Sequence, residues 1–129
     1  MKYSDQRPRL TLSADGKGLV SHVGARLLCD LATALGLTAE LSTAMAPTRK
    51  RRSRHDRGRL LVDLAVMLAD GGRSVSDLET LRAQGALFGN VASTTTAWNT
   101  LKAIGPTELA AIARARAAAR KRAWAAGAD

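Results

Sequence analysis

The chain has 129 residues, enough for one domain, with 46% hydrophobic residues and only four aromatic side chains, Tyr3, Phe88, Trp98 and Trp124. Its formal net charge is +9, from 20 Lys and Arg against 11 Asp and Glu, which points to nucleic acid first and an anionic membrane surface second. The single cysteine, Cys29, excludes a disulfide framework and a multi-cysteine metal site, and the start Met1-Lys2-Tyr3-Ser4-Asp5 lacks the apolar stretch of a signal peptide, so a cytoplasmic location is expected, nucleoid-associated when DNA is bound.

Ala and Leu dominate, which favours helices. The exception is residues 9–21, which predict a small β-hairpin: Leu10 and Leu12 alternate with Arg9, Thr11 and Ser13, Asp15-Gly16 offers turn chemistry, and Leu19-Val20 returns. Such a hairpin must lean on helices. Residues 22–35 carry helix periodicity, with Val23, Leu27, Leu31 and Leu35 as the core stripe and Leu28 beside it. Gly36 stops that helix, Leu37 follows as its apolar contact, and Thr38 caps a short second helix with Leu41 and Met45 inside, ended by Pro47.

Residues 49–59 read Arg-Lys-Arg-Arg-Ser-Arg-His-Asp-Arg-Gly-Arg, seven cations in eleven residues, and predict an exposed loop. Directly after it, Leu60 to Ala69 is apolar except for Asp63. A helix apolar all round belongs in the middle of its domain, and ten residues fall far short of the roughly 20 of a membrane span. Asp56 caps its start and Gly71-Gly72 ends it.

Ser74 or Ser76 caps the next helix, 76–84, with Leu78 and Leu81 inward and Gly85 as its end. Leu87, Phe88 and Val91 plug the core from a connector over 86–92. Ser93 caps a helix over 94–104, whose core stripe reads Ala97, Trp98, Leu101 and Ile104 and whose opposite side reads Thr95, Thr96, Asn99 and Lys102. Gly105-Pro106 starts a last helix with Leu109, Ile112 and Ala113 inward. Around Ala115 it turns to Arg114, Arg116, Arg120, Lys121 and Arg122 among alanines, so its second half is expected to leave the core and run into a linker. The expected fold class is mostly α: about six helices around a buried central helix, with the N-terminal hairpin. The expected domains are an arm and hairpin over 1–21, a helical DNA-binding domain over 22–113, and a basic helix and linker over 114–129.

The basic loop suits phosphates, whose counterions it would release, and its plain alternative is a solvated linker. Arg49, Lys50, Arg51, Arg52, Arg54, Arg57 and Arg59 are its phosphate candidates, with Arg114 to Arg122 as a second set. Helices 76–84 and 93–104 form a candidate helix-turn-helix, the second being the recognition helix. Ser93, Thr94, Thr95, Thr96, Asn99 and Lys102 are its DNA candidates: hydroxyls and amides for phosphates, Asn bidentate to adenine. Against it, the connector of eight residues or so exceeds the usual turn of about 3–4, and two ordinary core helices remain the alternative. Asp63 reads as a paired core carboxylate before it reads as a catalyst. His22 and His55 have no ligands at metal spacing, and Asp15-Gly16-Lys17-Gly18 lacks a phosphate-loop frame. No catalytic constellation emerges.

Several blocks are familiar together: Ala14-Asp15-Gly16 through Val20-Ser21-His22, Leu61 through Gly72, Ser76-Asp77-Leu78, Leu87-Phe88-Gly89, Thr96-Ala97-Trp98, and Arg120 to Trp124. In order and spacing they resemble the N-terminal region of DDE transposases of bacterial insertion sequences, the group often called the IS thirteen-eighty type, over nearly the whole chain. The resemblance implies an N-terminal helical domain that binds the terminal inverted repeats of the element in double-stranded DNA. It further implies strand transfer by three carboxylates holding two divalent metal ions, usually Mg²⁺, in a catalytic domain. The first of those carboxylates falls on a strand beyond Asp129, so the expectation is a DNA-binding portion without cofactor or enzymatic activity of its own, as in a truncated gene product. Expected partners are DNA and no membrane, with a homodimer as a further candidate. The rival expectations are a DNA-binding regulator or nucleoid-type protein without a transposition role, and an oligomerisation module whose charge only aids solubility.

Overall fold

The computed structural model of the protein describes residues 7–11, 22–51 and 53–128. Seven α-helices lie among the described residues: α1 (Val23–Ala34), α2 (Leu37–Met45), α3 (Arg57–Ala69), α4 (Glu79–Arg82), α5 (Gly85–Phe88), α6 (Thr94–Lys102) and α7 (Pro106–Ala125). Two 3₁₀ turns join them, Ala46–Thr48 after α2 and Val75–Leu78 before α4. The mostly-α class holds. The expected hairpin does not gain support: residues 9–11 form no strand, the other described residues hold none either, and residues 12–21 lie outside the described residues.

The post of the fold is α3, which packs on both α1 and α2. Leu60, Val62, Leu64, Val66 and Met67 are buried, whereas Ala65, Leu68 and Ala69 are exposed, so the helix is central but keeps one open side. It begins at Arg57, three residues before the apolar run, because Asp56 caps it there by accepting from the Arg59 amide at 2.8 Å. Gly58 and Arg59 are therefore buried helical residues and not part of an exposed loop. At Gly58 the helix meets α2 so closely that a Cβ would sit 2.1 Å from the Ser42 amide nitrogen.

Asp63 is 2% exposed and carries an ion pair with Arg7 at 2.7 Å and a longer one with Arg59 at 3.9 Å. Arg7 and Arg59 also donate to the Phe88 carbonyl, at 3.1 and 2.6 Å, and so tie the N-terminal segment and α3 to the end of α5. The paired-carboxylate reading of Asp63 is correct.

The helix α1 forms where its periodicity predicts, but rolled about its axis. Ala25, Arg26, Cys29 and Ala32 face inward, while Leu27 and Leu31 are 50% and 52% exposed. Arg26 fixes the roll: it donates to the Leu87 carbonyl at 2.7 Å and to Asp30 at 2.9 Å, one turn on. Those bonds outweigh the leucine stripe because a buried guanidinium without acceptors is costly. Burial pushes the Cys29 thiol upward in pKa, which keeps it protonated and inert. Leu31 and the exposed Leu28 line an apolar groove of ≈ 560 Å³ together with Leu37, Ile104 and Leu109.

Three further expectations need correction. Gly36, at φ 74, turns the chain between α1 and α2, and Thr38 lies inside α2 rather than at its cap. The predicted helix 76–84 is a 3₁₀ turn followed by the four residues of α4, and Gly85 opens α5 instead of ending it. Ser74 and Asp77 form the capping box here, and the amides of Arg73 and Ser74 hold the Asp77 carboxyl below its usual pKa. Finally, α7 stays on the body of the protein along α2, with Ala115 and Ala119 buried. Arg122 donates to the Leu35 carbonyl at 3.0 Å and pairs with Glu40 at 2.7 Å, which closes the α1–α2 corner. Leu109, expected inward, is exposed.

Candidate nucleic-acid interface

The basic stretch and the N-terminus of α6, distant in sequence, form one cleft of ≈ 480 Å³. One wall comes from Lys50, Ser53, Arg54, His55 and Arg57, and the other from Arg82, Ser93, Thr96, Asn99 and Thr100. Four of these are Lys or Arg, and no carboxylate is among them.

Local chemistry explains how each wall is held. Arg57, in the first turn of α3, donates to the Thr48 carbonyl at 2.7 Å and so ties the start of the basic stretch to its end. Ser53 donates to the His55 carbonyl at 3.0 Å, a short side-chain turn that bends the stretch back. On the other wall, Ser93 caps α6 by accepting from the Thr96 amide, at 3.3 Å, and its hydroxyl meets that of Thr96 at 3.1 Å. Thr100 is fully buried and donates back to the Thr96 carbonyl at 3.0 Å. The N-terminal end of α6 is therefore presented to the cleft, where its dipole adds to the field of the cations. Such a cleft can hold an oxyanion such as phosphate by charge, by hydroxyls and by amide donors together.

The structure brings together Lys50, Arg54, Arg57, Ser93, Thr96 and Asn99 from the sequence-based candidates. Arg49 and Arg51 are exposed but do not line the cleft, and Arg52 lies outside the described residues. Arg59 is turned into the core against Asp63 and Phe88. Thr94 is half-buried at the first turn of α6, and Thr95 and Lys102 lie on its exposed face. Sequence reasoning passed over Arg82, which comes from α4 and also meets Glu79 at 3.5 Å. Its one signal was a basic residue in the last turn of the first helix of the candidate motif. Trp98 was misplaced: it is 49% exposed, on the same face as Thr95, Asn99 and Lys102.

The carboxylates of a two-metal site are not gathered among the described residues. No group of three His, Cys, Asp or Glu there could hold a metal ion. Each described carboxylate serves the fold instead. Asp30, Glu40, Asp63, Asp70 and Glu79 pair with Arg26, Arg122, Arg7, His22 and Arg82. Asp56, Asp77 and Glu108 accept from backbone amides at helix starts. The described residues therefore do not fit a pair of Mg²⁺ ions. No single described helix is long and apolar enough to cross a membrane.

Comparison with curated proteins and with solved structures gave no match. A family model described as "Transposase DDE domain group 1" matches residues 2–126, nearly the full sequence, and the chain belongs to that family of DDE transposases.

Proposed function

We propose that this chain binds double-stranded DNA at the terminal inverted repeats of an insertion sequence of the IS thirteen-eighty type, as the DNA-recognising part of a transposase. The observation that carries the reading is the cleft in which four cations face the N-terminus of α6 and Asn99 without a carboxylate among them. Lys50, Arg54 and Arg82 neutralise backbone phosphates there, and Ser93 with the first amides of α6 takes a further phosphate oxygen. Exposed Arg49 and Arg51 extend the cationic track. The outward face of α6, with Thr95, Asn99 and Lys102, enters the major groove as a recognition helix, with α4 and α5 behind it as a variant helix-turn-helix. With every described carboxylate engaged by a partner, the reading assigns these helices to recognition. Membership of the transposase family favours this reading over a regulator without a transposition role.

The test is fluorescence anisotropy with a duplex carrying the inverted repeat that flanks the gene, against a scrambled duplex, from about 0.05 to 0.2 M salt. Replacing Lys50 and Arg54 together by alanine should weaken both duplexes alike and lower the salt slope by about one per lost phosphate contact. An unchanged slope would remove the cleft from the interface. Asn99→Ala should cost about 1–3 kcal/mol on the repeat and relax the preference for it.

A further inference from the structure

The exposed face of α6 carries more than the polar residues that sequence patterning put there. Thr95, Trp98, Asn99 and Lys102 are all exposed, at the i, i+3, i+4, i+7 spacing of one helix stripe, while Ala97 and Thr100 behind them are fully buried. Trp98 is an indole half in solvent on a stripe that is otherwise polar and cationic. Its sequence neighbour Asn99 lines the basic cleft and so marks the edge where cleft and stripe meet. From Asn99 to Trp98 is about 100° around the helix. With phosphates in the cleft, that turn aims Trp98 away from the backbone and toward base edges.

The neighbours of Trp98 argue against a protein partner. A docking patch for a protein is contiguous and apolar, and the exposed Leu28, Leu31 and Leu109 that would suit one line a different groove, formed mainly by α1, α2, α3 and α7. Among base edges in the major groove the apolar group is the thymine 5-methyl, while Asn takes adenine. We propose that Trp98 is a specificity-determining residue that packs on a thymine 5-methyl group beside the adenine bound by Asn99. This rests on the reading of the cleft as a duplex-DNA interface and adds the base chemistry that the helix face selects.

The experiment uses the full chain and two random duplex pools, one synthesised with thymine and one with uracil, which lacks only that methyl. The site enriched from the thymine pool is then bound with thymine or uracil at each position, by wild type, Trp98→Ala and Trp98→Phe. Wild type should lose about fourfold at one position on uracil substitution, the worth of one buried methyl group. Trp98→Ala should bind the thymine site more weakly and be indifferent to uracil there, and Trp98→Phe should keep the discrimination. Discrimination retained by Trp98→Ala, or absent from wild type at every position, overturns the proposal while leaving the cleft in place. Tighter binding of single strands than of duplex overturns it in favour of base stacking. Failure of wild type to bind any duplex overturns both readings. Loss of the methyl effect in Trp98→Ala together with a lowered salt slope for the Lys50 and Arg54 double variant supports both readings, whereas an unaltered slope removes the cleft and with it the orientation argued for Trp98.

Discussion

Asp63 is the residue on which most of the buried charge depends. Its carboxylate answers Arg7 and Arg59, and both arginines also reach the Phe88 carbonyl, so one acid organises two guanidiniums and the end of α5. A buried pair of this kind adds little over an apolar substitute, but removing one partner leaves a charge in low dielectric. Asp63→Ala takes the carboxylate away from two arginines, whereas Arg7→Ala leaves that carboxylate beside Arg59. Asp63→Ala should therefore lower unfolding free energy by about 3–5 kcal/mol in urea titration, and Arg7→Ala by clearly less. A loss under about 1 kcal/mol for Asp63→Ala, or the reverse order, would show that the arginines find other acceptors. The same contacts favour a structural role for Asp63: its carboxylate is covered and lies between two guanidiniums.

At the scale of elements, the crossing of α2 and α3 sets the frame on which both walls of the cleft stand. Gly58 permits it, since a Cβ there would lie 2.1 Å from the Ser42 nitrogen and 2.6 Å from the Leu41 carbonyl carbon, both backbone atoms that cannot turn aside. Gly58→Ala gains helix propensity of about 1 kcal/mol and should still destabilise the protein by about 1–3 kcal/mol net through overpacking. Gly24→Ala in α1, where the added methyl meets nothing within 4 Å, should be stabilising by up to about 1 kcal/mol. Thermal unfolding of the two variants checks the contrast; equal shifts would mean that α2 can slide. The contrast also marks what was legible in the sequence. The span of α3 was legible because an unbroken apolar run after a capping Asp has few other solutions, and the Ser93 cap of α6 because its hydrogen bond is local. The roll of α1 was not, because the bond from Arg26 to Leu87 joins residues 61 apart. Trp98 was read as core because hydrophobicity scales register apolar area and not what an exposed indole can touch. The cationic wall was evident in composition, but which cations face α6 is a tertiary fact: Arg82 joined it and Arg59 left for the core.

For the whole molecule, the distribution of charge decides how stability and binding respond to ionic strength. The formal charge is +9, and each described carboxylate already has a partner, a basic side chain or the amides at the start of a helix or turn. Exposed pairs such as Arg122–Glu40 are weakened by salt but contribute little in any case. At a net +9 the cations repel one another over longer distances, and Lys50, Arg54, Arg57 and Arg82 are gathered at one cleft. That repulsion destabilises the compact state and is relieved when the Debye length shrinks from about 30 Å at 0.01 M salt to about 8 Å at 0.15 M. The melting temperature of the free protein should therefore rise over that range, while its affinity for duplex DNA falls as counterion release weakens. Duplex added at low salt should raise the melting temperature more than the same duplex at higher salt, because DNA then replaces the missing counterions and binds most tightly. Replacing Lys50 and Arg54 by alanine should flatten both trends together, since one cluster causes both. A melting temperature that falls with added salt would show that the ion pairs outweigh the repulsion. Flattening of the stability trend alone would show that the cleft's charge bears on folding and not on DNA.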